Sequence, residues 1–216
     1  MRFALALVLA SLTSLPARAC ETALVLAIDV SNSIDNFEYD IQATGLADAL
    51  RDPLVMESLV TGRVALAVVQ WSGPKNQEVS IPWRHIASEA DVLSMADEAE
   101  TMPRAVIMAN TAIGDTIAFA SALFADVPEC KRKVIDISGD GADNAGTVPE
   151  VQRRIAETQG ITINGLAIDP NGIPITNYYR MRVITRNGFV MTARGHGSYA
   201  ETLKEKIRRE VAQVMF

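Results

Sequence analysis

Two periodicities alternate along the chain. Continuous runs of β-branched and aliphatic residues stand at 22–28, 63–71, 133–137 and 161–168. Such short apolar runs predict strands buried on both faces of a sheet. Residues 78–83 alternate apolar and polar positions, as a half-covered edge strand does, and 189–192 form a short last strand. Helical patterns fill the intervals near 36–50, 88–100, 112–125, 149–159 and 198–214. The expected fold is therefore α/β: a doubly wound, largely parallel central sheet of about six strands, one of them an antiparallel edge, with helices on both faces. No repeat, low-complexity tract or linker divides the chain, so residues 20–216 are expected to form one domain.

The first nineteen residues follow a different rule. Met1-Arg2 gives a positive start, residues 3–15 are almost unbroken apolar chain, and Ala17-Arg18-Ala19 has the A-x-A form of a cleavage site. This pattern predicts a signal peptide over 1–19. The apolar run is shorter than the roughly 20 residues that a bilayer span needs, so no stable membrane span is expected after cleavage. A cysteine follows the cut directly, which raises lipoprotein processing, but Ala17 and Arg18 precede it where such signals usually carry Leu three residues before the cysteine. A periplasmic or secreted protein is the expectation. Removing Arg2 and Arg18 lowers the basic count from 20 to 18 against 26 acids, and no basic patch suited to nucleic acid stands out.

In doubly wound sheets, ligands sit at the carboxyl ends of strands beside a switch in strand order. The first strand runs into Asp29-Val30-Ser31-Asn32-Ser33, and Asp35-x-x-Glu38 then reads as a capped helix start. In extended chain, positions i, i+2 and i+4 face the same way, so Asp29, Ser31 and Ser33 can converge. The fourth strand runs into Gly139-Asp140-Gly141, and Thr111 precedes the helix at 112–125. Two carboxylates and three hydroxyls are hard oxygen donors, suited to magnesium, manganese or calcium rather than to zinc or copper. Ser33, Asp35 and Thr111, taken singly, also read as helix caps.

Together these residues resemble the metal-ion-dependent adhesion site of von Willebrand factor type A domains. That family carries Asp-x-Ser-x-Ser after the first strand, a Thr before a central helix and an Asp after the fourth strand. Asp29, Ser31, Ser33, Thr111 and Asp140 match the five positions in order. The short form, with Cys20 beside the first strand, is similar to single-domain exported bacterial members. Many relatives carry a hydroxyl residue directly before the last Asp, where this chain has Gly139. The resemblance implies that Ser31 and Ser33 bind the ion directly and that Asp29 and Asp140 act largely through coordinated waters. Thr111 would bind directly or through water. A protein partner would present an Asp or Glu to the remaining position, with Mg2+ as the expected ion and Mn2+ or Ca2+ as alternatives. In integrin-type relatives, rearrangement at the ion accompanies sliding of the last helix, here 198–214.

An enzyme is not expected. A metal-dependent hydrolase or phosphotransferase is the main alternative, but there is no G-x-S-x-G elbow and no Gly-rich, Lys-bearing phosphate loop. A structural module whose ion only stiffens loops is a third reading. His85 and His196, the only histidines, lack ligand-spaced companions and read as surface or core residues. Asp169-Pro170-Asn171-Gly172 reads first as a turn, and Asp143-Asn144 as a loop-shaping pair near the rim. Lys204, Lys206, Arg208 and Arg209 read as a solvated face of the last helix, opposite a stripe of Leu203, Ile207, Val211 and Val214. Finally, Cys20 lies nine residues before Asp29 and Cys130 ten before Asp140. If the aspartates end neighbouring parallel strands, the cysteines meet at the opposite ends, and an oxidising compartment would keep a Cys20–Cys130 disulfide.

Overall fold

The structure is a computed structural model that describes residues 20–105, 110–170 and 174–212; the expected signal peptide at 1–19 lies outside the described residues. Strands β1 (Thr22–Asp29), β2 (Val64–Trp71), β3 (Gln77–His85), β4 (Arg132–Gly139), β5 (Ile161–Ile168) and β6 (Val190–Ala193) form one sheet in the order β3-β2-β1-β4-β5-β6. Every neighbouring pair is parallel except β2 and β3. From β1 the chain builds outward to β2 and β3, then returns to place β4 on the other side of β1. The switch in strand order therefore falls between β1 and β4, the two strands that lead into Asp29 and Asp140.

Alternation within the buried strands separates two cores. Leu24, Leu26 and Ile28 face helices α1 (Asn36–Arg51), α2 (Pro53–Thr61), α3 (Glu89–Glu100) and α7 (Tyr199–Ala212). Ala23, Val25 and Ala27 face α4 (Ile113–Leu123), α5 (Pro149–Thr158) and a π-helical turn, Tyr179–Val183, that continues α6 (Pro174–Tyr178). Two helical segments were not anticipated. Helix α2 begins with Asp52, whose carboxylate accepts from the amides of Leu54 and Val55 at 3.0 and 3.2 Å, followed by Pro53 in the first turn. An Asp-Pro pair favours such a start. The α6 segment is one short turn of helix and then a π turn, too brief for periodicity to reveal.

The last helix corrects one expectation. Lys206 is fully buried, not solvated. Leu203, Lys206, Ile207, Glu210 and Val211 follow the i, i+3, i+4, i+7, i+8 template and form the inward face of α7. The Lys206 ammonium lies 2.5 Å from both the Asp136 carboxylate on β4 and the Glu210 carboxylate. Asn164 on β5 donates to Glu210 at 2.9 Å. Asp136 Oδ1 is the oxygen in ion-pair range, and neither oxygen of that carboxylate accepts a hydrogen bond. Burial pushes the Asp136 carboxyl up, with Lys206 opposing that shift and Glu210 adding to it. Removing Lys206 from such a buried group costs about 3–5 kcal/mol, because the carboxylates are then left uncompensated.

Cys20 and Cys130 form a disulfide with their Cα atoms 4.5 Å apart. The register pairs Thr22 with Arg132 and Ile28 with Ser138, so the bond closes the amino ends of β1 and β4. The site lies at their carboxyl ends.

Candidate metal centre

The turn after β1 is fixed by its own backbone. The Asp29 carboxylate accepts from the Ser31 amide at 2.8 Å, and the Ile34 amide donates to the Ser31 carbonyl at 3.0 Å. Arg104, in the segment after α3, donates to the carbonyls of Val30, Ser31 and Ile34 and to the Asn36 side chain, and its guanidinium stands 5.7 Å from the Tyr39 ring centre. One cation thus draws three carbonyls together, in a loop that buries Val30, Ser31 and Ile34 and exposes Asn32 and Ser33. The expected helix start is present: Glu38 donates its amide to Asp35 at 2.8 Å, and Asp35 returns its own amide to Glu38 at 2.9 Å.

Four of the five expected residues form a chain. Ser31 and Ser33 share a hydrogen bond between hydroxyls at 3.1 Å, and the Ser33 hydroxyl donates to Asp140 Oδ1 at 2.7 Å. Asp29 and Ser31 are buried, Asp140 is half-buried and Ser33 is exposed, so the chain leads from the sheet to the surface. Thr111 is tied to the site through backbone instead. Its amide donates to the Asn144 side chain at 2.9 Å, and its carbonyl accepts from the Asn144 amide at 3.0 Å. Its hydroxyl faces Gly141, 3.5 Å from where a β-carbon would stand. Asp143 accepts from the amides of Ile113 and Gly114 at 2.7 and 3.3 Å and so caps α4. The pair Asp143-Asn144 shapes the loop, as expected.

The electrostatics follow from burial. Full burial is the largest influence on Asp29 and pushes its carboxyl up to about 7. The Ser31 amide and hydroxyl oppose that shift, nearby Asp140 adds to it and Arg104 opposes it. The Ser31 hydroxyl is close enough to act on Asp29 although its hydrogen bond goes to Ser33. Asp29 Oδ2 is buried without a hydrogen-bond partner. Among the described residues no three acidic, histidine or cysteine side chains gather as a metal cluster. The donor set is two carboxylates supplemented by hydroxyls, which suits a hard cation.

Sequence separation hid one neighbour. His196 Nδ1 lies 3.1 Å from Glu38, and His196 lines a groove of about 890 Å³ that Asp140, Phe37 and Ile41 also line. Its Nε2 is buried and unpartnered. His85 pairs instead with Glu129 at 3.2 Å, on the far edge strand. Asp169 accepts from the amides of Ile175 and Thr176 at 3.0 and 3.3 Å, at the start of α6; Asn171 and Gly172 of the expected turn lie outside the described residues. Arg104 and Tyr179 were not singled out from the sequence, because no local pattern links either to the loops it meets.

A family described as "Protein of unknown function (DUF1194)" matches residues 19–215. The chain belongs to that family. No curated protein sequence matches it. Among solved structures, proximal thread matrix protein 1 from the mussel byssus, with a zinc-occupied MIDAS motif, is 17% identical and covers 89% of this chain and 46% of its own, with a TM-score of 0.63. The vWF domain of the type V pili tip protein Mfa5 from Porphyromonas gingivalis is 11% identical, covers 93% and 98%, and has a TM-score of 0.63. A von Willebrand factor type A protein from Catenulispora acidiphila is 21% identical, covers 91% and 43%, and has a TM-score of 0.57. This DUF1194 chain has the von Willebrand factor type A fold. It spans less than half the length of the mussel and Catenulispora chains.

Proposed function

We propose that this DUF1194 chain is an exported protein-interaction module that holds one divalent cation, Mg2+ before Mn2+ or Ca2+, and uses it to bridge to a carboxylate of a protein partner. The observation that carries the reading is the hydrogen-bonded chain Asp29–Ser31–Ser33–Asp140 across the ends of β1 and β4, with one buried carboxylate oxygen left without a partner. Ser31 and Ser33 would hold the ion directly, Asp29 and Asp140 largely through its waters, and Thr111 from the loop beside them. The ion would supply a positive charge that accepts oxygen ligands from outside the protein. Two carboxylates neutralise a dication, so the site tolerates one further anionic ligand, and magnesium keeps exchangeable waters for it. The groove beside Asp140, with Phe37 72% exposed at its edge, gives the residues flanking the partner's carboxylate a surface to meet.

Fold relatives named as a pilus tip protein, a pilus adhesin and a thread matrix protein support an interaction role at the cell exterior. Among the described residues no helix is long and apolar enough to cross a membrane. The hydrolase reading is weaker. His196 is the histidine nearest the site, and its free nitrogen is buried rather than open to the groove. Calorimetry with MgCl2 tests the metal reading: Asp29→Ala should abolish binding, and Ser31→Ala and Ser33→Ala should weaken it less. Binding of the same affinity in Asp29→Ala would overturn it. Capture of a partner from periplasmic extract that persists in chelator would overturn the bridging role, and Mg2+-dependent turnover of simple esters or phosphoesters would restore the enzyme.

A further inference from the structure

Tyr179 belongs to the π-helical turn and is fully buried against the sheet. Two glycines make its seat. A β-carbon on Gly165 of β5 would stand 2.7 Å from the Tyr179 ring, and one on Gly139 of β4 would stand 2.7 Å from its hydroxyl. The same β-carbon on Gly139 would stand 2.8 Å from Asp29 Oδ2. The tyrosine hydroxyl and the carboxylate oxygen therefore come in over one residue, from β4's two sides. Both are buried, and neither has a hydrogen-bond partner.

Two orphaned oxygens within 3 Å of one point form an unusual arrangement. A buried polar group without a partner costs about 1–3 kcal/mol. A hydroxyl donates and an ionised carboxylate only accepts, so each is the partner the other lacks. The rest of Asp29 is already committed: Oδ1 takes the Ser31 amide, and the Ser31 hydroxyl is bonded to Ser33. The terminal nitrogens of Arg104 go to the carbonyls of the loop and to Asn36, and its Nε is buried without a partner. A π turn is a rare element that recurs at functional sites, and here it delivers a tyrosine to the base of the candidate centre.

We propose that Tyr179 is a positioning residue of the metal centre, its hydroxyl serving Asp29 Oδ2 through one bridging water over the space that Gly139 leaves. This rests on the metal-binding reading above. The bridge orients the carboxylate and favours its charged form, which is the form a cation needs. Tyr179 would act on the ion only through Asp29.

Tyr179→Phe removes the hydroxyl and keeps the ring on Gly165. The Mg2+ dissociation constant, read by calorimetry, should rise about tenfold, the range of one hydrogen bond to a charged group. In chelator, the melting temperature of Tyr179→Phe should fall by about 3 °C. In an Asp29→Ala background the same substitution should leave it unchanged or raised, since the hydroxyl there has no acceptor. A hydroxyl that is only a packing remnant gives the opposite pattern: an unchanged dissociation constant and a melting temperature equal to or above that of the unsubstituted protein. That pattern overturns the proposal. If the unsubstituted protein binds no Mg2+, the metal reading falls, and the paired melting curves still decide whether Tyr179 and Asp29 are bridged.

Discussion

At Asp29 two opposing demands meet. Burial disfavours charge on its carboxyl, which is pushed up to about 7, whereas holding a cation requires that charge. The surroundings reconcile the two by supplying donors to the carboxylate and a guanidinium behind the loop. Gly139 is the residue on which this arrangement is least tolerant. A methyl group there would press on Asp29 Oδ2 and on the Tyr179 hydroxyl together. Gly139→Ala is expected to destabilise the protein by about 1–3 kcal/mol, as overpacking does. It should also weaken Mg2+ binding; urea unfolding and calorimetry on the same sample check both. The carboxylates and hydroxyls at 29, 31, 33 and 140 were legible in the sequence because they are polar residues placed directly after buried strands. Arg104 and Tyr179 were not, because their roles arise only when segments distant in sequence pack at the ends of β1 and β4.

Helix α7 shows a different kind of misreading at the scale of one element. Its stripe is legible at spacing four, through Leu203, Ile207 and Val211. The intervening inward positions are held by Lys206 and Glu210, whose residue types suggest solvent. What makes them tolerable inside is Asp136, on a strand 70 residues earlier, and Asn164 on β5. The groups facing one another are Asp136 from β4, Lys206 and Glu210 from α7, and Asn164 from β5; Arg132 donates to the Glu210 carbonyl at 3.1 Å. Two carboxylates share one ammonium, and the Asp136 carboxyl is raised by its burial to about 7. The folded state therefore keeps a proton that the unfolded chain releases near the ordinary carboxyl value of 3.8. A folded carboxyl that is raised gives stability below its unfolded value and loses it as pH rises through the folded one. Metal-free protein should thus lose stability between pH 4 and about 7, by at most about 1.4 kcal/mol per pH unit, relative to Asp136→Asn. Melting curves of the two proteins across that window check this; parallel curves would count against it. The same group bears on the sliding of the last helix that the family resemblance implies. Moving α7 by one turn, about 5.4 Å, would draw Lys206 away from Asp136.

For the whole molecule, the order of strands matters more than any one of them. The alternation of buried strands and helices was enough to read the doubly wound sheet, its antiparallel edge and its two covered faces, because each strand's apolar run reflects cover on both sides. Helix α2 and the α6 segment were missed because short segments carry too little periodicity. The pairing of β1 with β4 has a further effect, since it aligns both cysteines at one end and both aspartates at the other. The disulfide closes a loop of 110 residues, for which the chain-entropy account gives about 4–5 kcal/mol. Reduction should lower stability by about that amount while leaving Mg2+ affinity nearly unchanged, since the site is at the far ends of the strands. Unfolding titrations with and without reductant, followed by calorimetry, check both halves.

The same arrangement sets how the molecule would carry load. A partner bound at the proposed centre would pull along β1 and β4, parallel to the strands, when the chain is held at the Cys20–Cys130 end. The hydrogen bonds of β1 to β2 and β4 are then strained together in shear, not opened one after another from an end. At the base, the Cys20–Cys130 bond keeps the two loaded strands from sliding past each other, so tension entering at Asp29 or Asp140 is shared by both. Reduced and oxidised protein, compared by force spectroscopy, should differ most in the force at which β1 is drawn out. A bond placed far from the binding surface would then govern how hard that surface can be pulled.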